Sequence, residues 1–214
     1  KDFERVYSNL THQNHILERQ DELKKNLKLT NEIKGNYFLL GGENNYWHLL
    51  LDYLPRLICL KEINLRNTVV LINSDILEKF QLFILKIIKQ MNLKNVKFIK
   101  INRYNQLYKF ENLFIPSRPS VNFAYDFYDK MIGQFVDKQP LKNLYVRRGN
   151  VSNRKVINEN EVEKLLSKYN YEIVDCAKLS VDEQIDKFLY AKNVVIIHGA
   201  SIANLLFVPN NINV

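Results

Sequence analysis

The sequence predicts an α/β fold with parallel sheets, on three features of its pattern. Short apolar runs alternate with amphipathic stretches of about 10–15 residues, as strands and helices do in βαβ units. The alternation breaks at Asp137-Lys-Gln-Pro140 and then restarts, so an N-terminal domain over 1–137 and a C-terminal domain over 141–214 are expected. Near the end, Val194-Val-Ile-Ile197 sets four β-branched residues in a row, the mark of a parallel strand buried on both faces. Two Rossmann-like domains facing a cleft are the architecture these features predict.

The first 30 or so residues are polar and helix-prone, with weak apolar spacing. Asn36-Tyr-Phe-Leu-Leu40 reads as a strand that Gly41-Gly42 ends. A helix from about Asn45 to Glu62 follows, interrupted at Pro55, which has no N–H to donate. Thr68 to Ile72 is a second strand. Ser74 to Met91 is helical, because Ile76, Leu77, Phe80, Phe83, Ile84, Ile87 and Ile88 recur on one face. Val96 to Ile101 is a third strand, Leu107 to Ile115 gives one or two more, and Pro116 to Pro119 is a loop. A helix from Phe123 to Val136 leads to the break. Beyond it the spacing predicts strand Asn143–Val146, loop Arg147–Arg154, helix Asn158–Tyr169, strand Tyr171–Val174, helix Val181–Ala191, strand Asn193–Ile197, and a turn into a last helix.

Composition narrows the class. Of 214 residues 46% are hydrophobic and 25% charged, a balance that buries a core, and 6 Gly with 5 Pro argue against disorder. A net charge of +8 suits anionic partners such as nucleotides, nucleic acid or an acidic membrane face, although much of it is Lys on solvated helix faces. Cys59 and Cys176 form no metal pattern, which fits a reducing compartment or buried, inert thiols. The sequence shows no internal repeat and no apolar run of the roughly 18 residues that a membrane span needs. The start at Lys1 carries no Met and does not read as a signal peptide, and Asn211 to Val214 looks like the opening of another strand. A trimmed chain whose second domain is incomplete is therefore expected. A cytoplasmic place, peripheral to a membrane, is favoured; a removed anchor would reverse that.

Three stretches carry candidate chemistry. His198-Gly199-Ala200 leaves a strand's carboxyl end without bulk, Ser201 can cap the next helix, and a helix N-terminus there would face an anion. A phosphate-bearing ligand or a plain αβ connection fits that stretch equally. Arg147-Arg148-Gly149 to Arg154-Lys155 opens on the same sheet edge and packs four cations into nine residues, and arginine forks match phosphate oxygens. Asn158 with Glu161 reads as a capping-box-like helix start. In Gly41-Gly42-Glu43-Asn44-Asn45-Tyr46-Trp47-His48-Leu-Leu-Leu-Asp52, the residues His48, Asp52 and Arg56 fall at i, i+4 and i+8 on one helix face. A His–carboxylate pair can serve as a general base, and the same spacing also suits a surface ladder. No Asp-x-Asp metal clamp, P-loop, GxGxxG, HExxH or nucleophile elbow is present in the sequence.

Together these motifs resemble glycosyltransferase family 61 over about Asn36 to Asn210. The resemblance rests on Asn45-Tyr-Trp-His48 to Asp52-Tyr-Leu-Pro55-Arg56-Leu57, on Leu144-Tyr-Val-Arg147-Arg148 with Arg154 to Glu159, on Leu179-Ser180 with Glu183-Gln184, and on Ala191, His198-Gly199-Ala200 and Asn204-Leu-Leu-Phe207-Val-Pro209. It implies a two-domain GT-B fold and an inverting, metal-independent transfer of a sugar from a nucleotide sugar, with UDP as the expected carrier, to a glycan or polysaccharide hydroxyl. No cofactor and no nucleic-acid partner are expected. By position it implies that Arg148 and Arg154 hold the donor diphosphate, that His198, Gly199 and Ala200 line the nucleotide or sugar-phosphate end, and that Asn204 secures the following helix. Glu183 would touch the ribose or pack a helix start. Asp52, or His48 oriented by Asp52, would be the base, with Asp52 preferred. Two alternatives are a basic nucleic-acid-binding module, whose affinity would fall steeply with salt, and a non-catalytic GT-B scaffold, indifferent to loss of His48 and Asp52.

Overall fold

The computed structural model describes residues 28–62, 68–93, 96–102, 106–132, 139–149, 151, 154–209 and 211–214. The helix-prone first 27 residues, the end of the helix expected to reach Val136 and the start of the linker at Asp137 lie outside them. The N-terminal half runs β1 (Lys28–Gly41), α1 (Tyr46–His48), a π-helical turn (Leu49–Tyr53), a 3-10 turn (Leu54–Leu57), α2 (Ile58–Glu62), β2 (Val69–Asn73), α3 (Glu78–Gln90), β3 (Lys97–Ile101), β4 (Gln106–Phe114) and α4 (Val121–Ile132). The C-terminal half runs β5 (Lys142–Val146), α5 (Glu159–Lys168), β6 (Tyr171–Val174), a 3-10 turn (Cys176–Lys178), α6 (Val181–Leu189), β7 (Ala191–Ile196) and a 3-10 helix (Ala200–Phe207).

Every strand pair is parallel. The first sheet has the order β3-β2-β1-β4 and the second β6-β5-β7. In each, the strand order reverses beside the first strand, so the crevices at the carboxyl ends of β1/β4 and of β5/β7 are the switch points where open α/β sheets take ligands. Asn213 adds a parallel bridge to Asn193 outside β7.

Period-2 alternation sends Phe38 and Leu40 of β1 and Val70 and Ile72 of β2 to one face, where α3 buries Phe80, Phe83, Ile84 and Ile87. Tyr37, Leu71 and Ile101 form a smaller cluster on the other face. Leu144, Val146 and Val174 of the second sheet pack with Phe188 and Phe207, in the same hydrophobic cluster as the first sheet. Helix α4 joins the halves: its Tyr128 meets Phe207 edge-on, with ring centroids 5.3 Å apart. Each of these large side chains contributes about 1.5–3 kcal/mol on burial.

Four expectations need correction. Strand β1 begins at Lys28, well before Asn36. Its polar first half is held by backbone pairing to β4, with irregular register between Leu29/Glu32 and Ile33/Asn36, so no apolar period marks it. The Asn45–Glu62 helix is four pieces rather than one interrupted helix. Strand β7 is buried on one face only, with Val194 2% exposed and Val195 38%. The last helix is 3-10 throughout.

Candidate active site

The second switch point is built on β5, whose buried Leu144, Tyr145 and Val146 fix where Arg147-Arg148-Gly149 emerges. Glu159, at the start of α5, turns its carboxylate inward and is 9% exposed. Its Oε1 accepts from the Arg148 N–H and, at 3.3 Å, from the Tyr145 hydroxyl; its Oε2 accepts from the Gly149 N–H at 3.1 Å. Burial, and then this carboxylate, push the Tyr145 hydroxyl up to about 12. Arg147 turns away from the loop, with Nη2 3.6 Å from Glu159 and Nε 3.2 Å from Glu163. The side chain of Arg148 instead crosses to the turn after β7. A Cβ on Gly199 would stand 2.0 Å from its Nη1 and 2.9 Å from its Cζ, so the glycine makes room for the guanidinium. Arg154, at φ 57°, donates from Nη1 to Nδ1 of His198. Arg148, Arg154, His198 and Gly199 therefore form one cluster over the β5/β7 crevice.

The neighbours expected beside them have other partners. Ser201 caps nothing: Gly199 is the N-cap residue, in extended backbone without a side-chain cap bond, and the Ser201 hydroxyl bonds the Cys176 thiol. A 3-10 segment with i→i+3 bonds, such as Ile202 N–H to Gly199 C=O at 3.1 Å, replaces the α-helical N-terminus expected to face an anion. Ala200 packs against the core. Asn204 is fully buried, accepting from the Tyr46 hydroxyl at 2.8 Å and donating to Gln184 Oε1 at 2.9 Å and Ser201 C=O at 3.1 Å. Glu183 closes a capping box with Ser180 at the start of α6, and those hydrogen bonds lower its carboxyl from the ordinary range. Asn158 makes no cap bond; its amide donates to Glu161 at 3.3 Å instead.

At the first switch point, Gly41 and Gly42 leave β1 at φ 76° and 112°, and a Cβ on Gly42 would meet Ile76 at 2.2 Å. Asn44 ties this turn down, accepting from the Leu77 N–H at 2.7 Å and donating to Asp75 C=O at 2.7 Å. Asn45 caps α1 through the Trp47 N–H at 3.0 Å. His48 ends α1, and Asp52 sits in the π-helical turn, a local form that is frequent at functional sites. His48 Nδ1 lies 2.7 Å from Asp52 Oδ2, and Nε2 lies 3.9 Å from Glu43 Oε1. The expected His48–Asp52–Arg56 ladder stops after two members. Arg56 falls in the 3-10 turn and stacks on Tyr53 at 4.8 Å, and burial lowers its guanidinium from the ordinary value.

Sequence reasoning missed two residues. Arg118 donates from Nε to Asp52 Oδ1 at 2.9 Å; its only signal was a cation between prolines just after a strand. Glu159 was visible in the motif but carried no role, since nothing in the spacing says that its side chain turns inward. The two switch points are joined, because α1 packs on the 3-10 helix that follows Gly199 and the Tyr46–Asn204 bond lies between them. Among the described residues no group of three His, Cys, Asp or Glu stands where it could hold a metal ion, and no helix is long and apolar enough to cross a membrane.

Two parallel sheets flanked by helices, with polar clusters at their switch points, define a Rossmann-like α/β protein. Its sequence from residue 46 to 214 matches Glycosyltransferase 61, and the chain belongs to that family. It is thus a glycosyltransferase, an enzyme that moves a sugar from a donor to an acceptor. No curated protein matches it.

Proposed function

We propose that the chain transfers a sugar with inversion from a nucleotide diphosphate sugar, UDP-linked by preference, to a hydroxyl of a glycan or polysaccharide. The half over 141–214 takes the donor and the half over 1–137 the acceptor, in a GT-B-like arrangement. The observation that carries this reading is the convergence of Arg148 and Arg154 on the Gly199 and His198 turn at the β5/β7 crevice. Two guanidinium groups there match a diphosphate, and preorganised cations stabilise the charge that develops as it leaves. In this reading His198, Gly199 and Ala200 border the donor, while Asn204 and Glu183 hold the elements around it.

His48 is the better base. Both Asp52 oxygens are engaged and its side chain is 12% exposed, against 38% for His48. Asp52 holds the ring through Nδ1, and Nε2 takes the proton from the acceptor hydroxyl. The acceptor oxygen bonds to the anomeric carbon as the bond from that carbon to the phosphate oxygen breaks, and the electron pair leaves on the diphosphate. A positioned base contributes about 10²–10⁴ in rate. The net charge of +8 supports work beside an anionic membrane face.

A thermal-shift screen of UDP, GDP, CDP and ADP with their sugars, in EDTA, tests the reading. A ligand at about 100 times its Kd adds about 2.7 kcal/mol, or roughly 5–11 °C at this size. One diphosphate should give that shift in the wild type and lose it in Arg148→Ala. Absence of any shift with all of them would sink the donor site as drawn.

A further inference from the structure

The loop after β4 carries a side chain that the sugar-transfer reading leaves without a role. Arg118 reaches back to the π-helical turn and donates from Nε to Oδ1 of Asp52 at 2.9 Å. The second oxygen, Oδ2, faces His48 Nδ1 at 2.7 Å. A carboxylate tied at one oxygen can turn about its soft terminal torsion and exchange oxygens or partners. Tied at both, it offers one oxygen to the imidazole and keeps it there. A carboxylate fixed at Nδ1 selects the tautomer that carries its proton on that nitrogen, which leaves Nε2 bare to accept.

Arg56 is the second guanidinium within electrostatic reach of Asp52. It stacks on Tyr53, and its buried Nε has no hydrogen-bond partner, so it does not do the clamping. Glu43 faces the ring from the other side, 3.9 Å from Nε2, too far for a hydrogen bond. Arg118, on a different element from the pair, is the group that sets the carboxylate.

We propose that Arg118 is a positioning residue for His48: by holding Oδ1 of Asp52 it locks Oδ2 on Nδ1 and so keeps Nε2 free to take a proton. This rests on His48 being the base of the proposed reaction. It is testable without any substrate. Nitrogen-15 histidine spectra of the whole chain at about pH 8 report which nitrogen carries the proton. The wild type should show His48 protonated at Nδ1. In Arg118→Gln the ratio of the two tautomers should fall about fivefold or more toward unity, as one charge-assisted hydrogen bond is lost.

Arg118→Lys should restore most of the wild-type spectrum, and Arg56→Gln should leave it unchanged. The melting temperature should stay within about 2 °C in both Arg118 variants, because that side chain is largely exposed and such ion pairs contribute little to stability. A wild-type ring protonated at Nε2, an Arg118→Gln spectrum like the wild type, or the same change in Arg56→Gln would overturn the assignment. Failure of the sugar-transfer reading would appear separately, as a nucleotide screen without any shift.

Discussion

Gly199 owes its importance to what lies over it. Its backbone is extended, so any residue could adopt it, yet the Arg148 guanidinium occupies the space where a Cβ would go. Gly199→Ala should therefore displace the arginine and leave the turn intact. The expected result is a roughly tenfold weaker Kd for the diphosphate that the screen identifies, the worth of about one charge-assisted hydrogen bond. The melting temperature without ligand should move by no more than about 2 °C. Isothermal titration beside a thermal melt separates the two effects, and unchanged affinity would remove Arg148 from the donor site. Glu159 acts on the same loop from the other side: two of its main-chain N–H groups, those of Arg148 and Gly149, bond one carboxylate. Glu159→Gln replaces an acceptor-only carboxylate by an amide that also donates. Diphosphate binding should weaken by about the same factor, with some loss of stability, and the same titration reads it. The partners of both residues are 10 or more positions away in sequence, which is why the motif showed their presence and not their use.

Elements differ in how much of themselves they declare. Helices α3 and α6 were legible because their apolar residues recur on a face that packs, and β6 because Tyr171, Ile173 and Val174 are strand-favouring residues bounded by Asn170 and Asp175. The polar half of β1 was not, since main-chain pairing with β4 holds it and no side-chain pattern records that. Least legible was the break in the Asn45–Glu62 helix. Pro55 announces an interruption but not its form. The π-helical turn before it closes with the Leu54 N–H on Leu49 C=O, and the Leu50 carbonyl is met by the Tyr128 hydroxyl at 2.9 Å, from α4. That hydroxyl is fully buried, and burial pushes its pKa well above the ordinary value. Tyr128→Phe leaves the carbonyl with one bond fewer and adds no bulk. The cost should be about 1–2 kcal/mol, or roughly 2–5 °C in melting temperature. If the turn relaxes toward a regular helix, His48 and Asp52 shift relative to each other, so the His48 tautomer ratio should change as well. A loss of stability with an unchanged His48 spectrum would mean that the turn holds its form without Tyr128.

At the scale of the whole molecule the halves that the sequence separates share one hydrophobic cluster, cross-linked by the buried Tyr46–Asn204–Gln184 chain of hydrogen bonds. Two halves joined in this way should unfold together, and one probe in each lets that be measured. The single Trp of the sequence, Trp47, belongs to α1 in the N-terminal half. Cys176 lies in the C-terminal half, 6% exposed, and burial pushes its thiol from 9.0 to about 11. A thiol whose folded value is raised keeps its proton after the unfolded chain has lost it. The stability it contributes is therefore complete below pH 9, falls as pH rises from about 9, and is gone by about 11. That loss is worth up to about 1.4 kcal/mol per pH unit over the interval. Cys176→Ala removes it, at a cost of about 1 kcal/mol in packing that does not depend on pH. Urea unfolding followed by Trp47 fluorescence at pH 8, 9 and 10 should then show a decline in the wild type that is shallower in Cys176→Ala by about that slope. The reporter and the titrating group are in different halves, so the effect can reach Trp47 only if both sheets melt in one transition. Identical pH dependence in the two proteins, with circular dichroism showing a separate C-terminal transition, would mean that the shared core does not bind the halves into one cooperative unit.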